Sequence, residues 1–127
     1  MKRFAVLILL LVTSLATAAE VIPARGVYVT KTRDLDDGRA WNSVTNIGYR
    51  PTFGASDELS IETFLLEPLA GQTPQRIRVE FLRRIRDERQ FDSAEELKAQ
   101  IFRDVRAAQS YFRRARSWIG RVPCTSS

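Results

Sequence analysis

Apolar and polar residues alternate along the middle of the chain, whereas near its end apolar residues recur every three or four positions. The first pattern belongs to strands, the second to a helix. Residues 26–30 (Gly-Val-Tyr-Val-Thr) are β-rich and follow Pro23, a natural strand entry. The aspartates and glycine of residues 34–38 predict a hairpin turn. A second strand follows over 40–48, with Trp41, Ser43, Thr45 and Ile47 on one face. Residues 50–54 break it as a loop, because the residue before Pro51 is pushed out of helical space. A third strand over 59–66 sets Ser60, Glu62 and Phe64 against Leu59, Ile61, Thr63 and Leu65. After a Gly/Pro-containing connection over 68–74, a fourth strand spans 76–85. Its alternation puts Ile77, Val79, Phe81 and Ile85 on one face and Arg76, Arg78, Glu80 and Arg84 largely on the other.

Ser93 followed by Glu96 makes a capping box. Leu97, Ile101, Val105, Ala108 and Phe112 then form one apolar stripe, with Lys98, Arg103, Arg106 and Arg113 off it on a solvated face. Short strands followed by a helix predict an α+β, mainly β domain: a barrel or curled antiparallel sheet with one long carboxy-terminal helix laid across it. The 127 residues hold one such domain, assigned to 20–116, with 117–127 as a tail.

Composition narrows the chemistry. The chain has no histidine and one cysteine, Cys124, which excludes Ser-His-Asp and Cys-His machinery, an internal disulfide and a Cys/His zinc site. Acid–base work falls to carboxylates, lysine, tyrosine or water. A net charge of +5 favours anionic partners. The arginines lack interleaved aromatics and no recognition motif appears, so nucleic acid is not expected among those partners.

Residues 1–19 read as an export signal: Lys2 and Arg3, an apolar run over 4–12, then small residues ending in Ala16-Thr17-Ala18. The run is too short to span a bilayer, so no permanent membrane span is expected. A misplaced or frame-disrupted start is the competing reading.

Two features could carry chemistry. The segment 46–54 (Asn-Ile-Gly-Tyr-Arg-Pro-Thr-Phe-Gly) combines glycines that permit close approach, the planar fork of Arg50, and the neutral ligands Asn46 and Thr52. A structural turn is an equal reading of it. Glu62 is a carboxylate in an otherwise apolar or hydroxylic strand, either a rim charge or a placed base.

At these residues the sequence resembles the riboflavin-kinase domain of bacterial bifunctional riboflavin kinase/FAD synthetases. The blocks that carry the resemblance are 26–29, 46–53, 61–66, 79–91 and 97–101 with Asp104, in that order and spacing. It implies a six-stranded Greek-key barrel, a monomer, and transfer of the ATP γ-phosphate to the riboflavin 5′-hydroxyl to give FMN. Glu62 stands where that family places its general base. Asn46, Gly48, Arg50, Pro51, Thr52 and Phe53 would shape the nucleotide and flavin pockets, and residues 83–91 would lie near the flavin side. ATP, Mg²⁺ and riboflavin are the implied ligands.

The family's Phe-Pro-Thr-Ala-Asn motif, whose Thr and Asn help hold Mg²⁺ and phosphate, is missing. Val12 and Ser14 stand in those places, Phe64 replaces a histidine, and the adenylyltransferase domain is absent from the chain. The alternative reading is therefore a flavin- or nucleotide-binding module impaired in catalysis. The family is cytoplasmic, so the export-like start leaves the location of this chain open.

Overall fold

The computed structural model describes residues 10–11, 22–50 and 58–119. Strands β1 (Leu10–Leu11), β2 (Gly26–Asp34), β3 (Ala40–Arg50), β4 (Glu58–Leu65) and β5 (Ile77–Arg86) precede one helix, α1 (Ala94–Ile119). They form one antiparallel five-stranded sheet in the order β1-β4-β3-β2-β5. Strands β2, β3 and β4 are a meander, and β5 returns to lie beside β2, which is a Greek key. The expected mainly β fold with a carboxy-terminal helix is thus present. Where the resemblance implied six strands in a closed barrel, the described residues give five, with β1 and β5 as the two edges.

Register fixes the two faces, since directly paired residues point the same way. Thr30 opposes Ser43 and Tyr28 opposes Thr45, while Thr45 in turn opposes Thr63. On this inner face the hydroxyls of Thr32, Ser43, Thr30, Thr45 and Thr63 are linked in series at 2.7, 2.8, 2.9 and 2.9 Å. All are buried, and each hydroxyl has a partner within the series. Trp41 and Ile47 are buried on the same face, and the Tyr28 ring meets Phe81 edge-on at 5.3 Å.

The opposite face carries the helix. Val27, Val29, Val44 and Ala108 form its core, with Leu66, Ile85, Tyr111 and Phe112 packed around them. Ile85 joins this face and not that of Ile77, Val79 and Phe81, as strict alternation had predicted. Two irregularities in the β2–β5 register, between Val27 and Tyr28 and between Val29 and Thr30, shift the parity.

Helix α1 begins as its capping signature predicts, with the Glu96 amide donating to Ser93 Oγ at 3.2 Å. It is fixed across the sheet by a forked ion pair. Arg86 Nε donates to Asp104 Oδ1 at 2.9 Å and Arg86 Nη2 to Asp104 Oδ2 at 2.8 Å. Gln100 Nε2 donates to the same carboxylate at 3.0 Å. Arg86 lies opposite Val27, whereas the Phe112 ring lies 5.9 Å from Lys31 Nζ. From Asp104 to Phe112 the helix rises about 12 Å, and from Val27 to Lys31 the strand rises about 13 Å. The helix therefore follows β2, and its first turns project past the start of that strand. Leu97, expected as part of the buried stripe, is 44% exposed. The helix reaches Ile119, beyond the expected domain end at Arg116. No helix among the described residues is long and apolar enough to cross a membrane.

Two stability predictions follow from this packing. Asp104→Ala should lower unfolding free energy by about 2–3 kcal/mol in urea denaturation, because it strands the Arg86 guanidinium in a half-closed site. A loss below about 0.5 kcal/mol would show that the helix is held by apolar packing alone. Thr45→Val keeps the shape but interrupts the hydroxyl series on both sides, and should cost about 1–3 kcal/mol in the same assay. An unchanged midpoint would mean the series contributes nothing net.

Candidate functional site

The helix covers only part of its face of the sheet. On that face a row runs across four strands: Glu62 on β4, Asn46 on β3, Val27 on β2 and Arg86 on β5. One pleat further along, Gly48 opposes Ser60, and next Arg50 opposes Glu58. The apolar residues Val27, Val29 and Val44 pack against the helix, while the polar residues Asn46, Ser60 and Glu62 gather on β3 and β4, in the row of Val27 and the one beyond it. Glu62 and Ser60 are half-buried there, and Gly48 is buried. Strand β1 adds its backbone to this margin, with Leu11 paired to Glu62 and Leu10 to Thr63.

The segment after β5 closes one side. A methyl group added at Gly48 would overlap Glu88 Oε1, so the Glu88 carboxylate rests directly on the Gly48 backbone. A glycine inside a strand often marks such a close approach. Arg84 and Asp87 anchor the start of this segment through an ion pair of 2.6 Å, and Arg84 Nη2 donates to the Arg25 carbonyl at 2.8 Å. Further on, the Phe91 ring is flanked by Arg86 at 5.8 Å and Arg89 at 5.1 Å.

Of the residues singled out in the sequence, Glu62, Asn46 and Gly48 are brought together on adjacent strands. Arg50 ends β3, so the strand runs two residues further than expected. The Arg50 side chain and Pro51, Thr52 and Phe53 lie outside the described residues, as do Val12, Ser14 and Cys124. The export-like segment 1–19 is described only at Leu10–Leu11. Among the described residues, no three Asp, Glu, His or Cys side chains converge on a possible metal position.

A second concavity, of about 560 Å³, lies at the far end of β2 between residues 34–39 and 70–75. Its charges are spent on one another. Arg39 bridges Asp34 and Asp37 and donates to the carbonyls of Ala70 and Gln72, while Arg76 pairs with Asp36 at 2.7 Å. The Asp37 carboxyl is held below the usual range first by the Arg39 amide, against a smaller desolvation effect, and then by the Arg39 guanidinium. These contacts tie the β2–β3 turn to the β4–β5 connection.

The family model for flavokinase, described as riboflavin kinase, matches residues 12–112. The chain belongs to this family. It is 39% identical over 93 residues to the bifunctional riboflavin kinase/FMN adenylyltransferase of Haemophilus influenzae, covering 73% of this chain and 30% of that one. The corresponding protein of Bacillus subtilis is 37% identical over 94 residues, covering 72% of this chain and 29% of that one. The chain thus spans under a third of the length of these curated relatives. Among solved structures, one described as a macrolide-efflux protein from Streptococcus pneumoniae aligns with a TM-score of 0.60 at 26% identity, over 70% of this chain and 28% of that one. The flavokinase match includes every residue of the polar end described above, from Asn46 to Glu88.

Sequence reasoning found Glu62 and Asn46 but not the part played by Glu88 or Ser60. Gly48 was a usable signal for a close approach, but alternation could not say which side chain would fill it.

Proposed function

We propose that this chain is a riboflavin kinase that transfers the γ-phosphoryl group of Mg-ATP to the 5′-hydroxyl of riboflavin, giving FMN and ADP. The observation that carries this reading is the pairing of Glu62 with Asn46 at the polar end of the sheet, within a flavokinase-family match. Glu62 takes the proton from the 5′-hydroxyl as the oxygen attacks the γ-phosphorus and the bond to ADP breaks. Asn46, with donor and acceptor on one amide, orients the hydroxyl beside that carboxylate. Arg50, Pro51, Thr52 and Phe53 follow in the same segment of the chain and are proposed to complete the nucleotide and flavin pockets, with Arg50 as a fork for phosphate oxygens. Gly48, with no side chain of its own, lets the segment after β5 come close to this pocket. Mg²⁺ enters with ATP, and its role is to neutralise phosphate charge.

This assignment places the chemistry on rigid elements, where two adjacent strands fix the distance between base and orienting amide. Most catalysis of phosphoryl transfer is positioning and charge neutralisation, so such a platform suits the reaction. We further propose a monomer acting on riboflavin and ATP.

The test is FMN formation by the full chain with riboflavin and Mg-ATP, resolved by chromatography. Glu62→Gln should lower the rate about a hundred- to ten-thousandfold while leaving the riboflavin Kd within about twofold. Equal turnover by parent and variant would remove Glu62 as the base. Riboflavin binding without any FMN from the parent would favour a binding module over a kinase.

A further inference from the structure

The Glu88 carboxylate has a place in the site that the reaction itself does not require. It rests over Gly48, whose partner Ser60 lies on the same face as Asn46 and Glu62. Gly48 and Ser60 occupy the row next to Asn46 and Glu62, so the two rows are separated by one pleat repeat, about 7 Å. Two carboxylates are therefore held in sequence along one face, one brought by β4 and the other by the segment after β5. A carboxylate is an acceptor only, and its natural partner is a hydroxyl or amide donor.

Resting on the kinase reading above, we propose that Glu88 is a specificity-determining residue that accepts hydrogen bonds from the internal hydroxyls of the substrate's polyol chain. With the terminal hydroxyl at Glu62, an extended five-carbon polyol carries its next hydroxyls away along the strand direction. A hydroxyl two or three carbons back then reaches the row of Gly48 and Ser60, where Glu88 waits. Gly48 makes the arrangement possible, because any side chain there would displace the carboxylate. The Arg84–Asp87 pair at 2.6 Å holds the backbone just before Glu88. A site built around such an acceptor discriminates against an analogue that lacks the hydroxyl, because the acceptor is then left without its donor.

The experiment uses the full chain with two flavins. One is riboflavin; the other carries a plain 5-hydroxypentyl chain, which keeps the terminal hydroxyl and lacks the internal ones. Kd is read from flavin fluorescence, and KM and kcat from phosphorylated product. The parent should prefer riboflavin. Glu88→Ala should weaken riboflavin about tenfold in both Kd and KM, leave the hydroxypentyl flavin within about twofold, and change kcat little. Gly48→Ala, which keeps the carboxylate but drives it from its seat, should lose the same preference, and thermal melts of both variants report folding. Equal weakening toward both flavins, or none toward riboflavin, overturns the Glu88 assignment and leaves the kinase reading standing. A folded parent that binds neither flavin and forms no product overturns both.

Discussion

The fork between Arg86 and Asp104 fixes where the helix lies on the sheet. The carboxylate is nearly fully buried and accepts from Arg86 Nε and Nη2 as well as from Gln100. A planar guanidinium meeting a carboxylate in this way fixes angle as well as distance. Because Arg86 sits at the end of β5 beside Val27, the helix is pinned over the start of β2 and runs from there toward Lys31. Val27, Val29 and Val44 are covered, and Asn46, Ser60 and Glu62 are not beneath the same packing.

The inner face follows a different logic. It is lined by threonines and a serine whose hydroxyls bond to one another in series across β2, β3 and β4. Such a face can be buried without leaving a polar group unsatisfied, and it ties three strands together laterally. The rigidity this gives to β3 and β4 is what holds Asn46 and Glu62, which project to the other side of the same two strands. The hydroxyl-lined face and the candidate site are therefore two faces of one pair of strands, and a register slip of one residue would exchange them.

Much of this was legible from the pattern of residues. Alternation located the four long strands, and Ser93 with Glu96 located the start of the helix, because both signals are local. Ile85 and Leu97 were misplaced for a shared reason: their surroundings depend on tertiary geometry that periodicity does not contain. Two register shifts turned Ile85 toward the helix, and Leu97, in the first turn of α1, stays exposed although it shares the apolar stripe. Asp104 was visible as part of a family block but not as a clamp, since a lone acid on a helix reads as a solvated charge. Glu62 stood out because its strand is otherwise apolar or hydroxylic. Glu88, in a run of charges after β5, did not; only the empty side of Gly48 gives it a place.

The central claim is that the ligand sits on the open polar end and not in the concavity at the opposite end of β2. Hydrogen–deuterium exchange of the full chain, with and without riboflavin, tests this most directly. The account predicts slowed exchange in residues 46–48, 60–62 and 87–91, with residues 34–39 and 70–75 unchanged. Protection confined to 34–39 and 70–75 would contradict it and would move the site to the other end of the sheet.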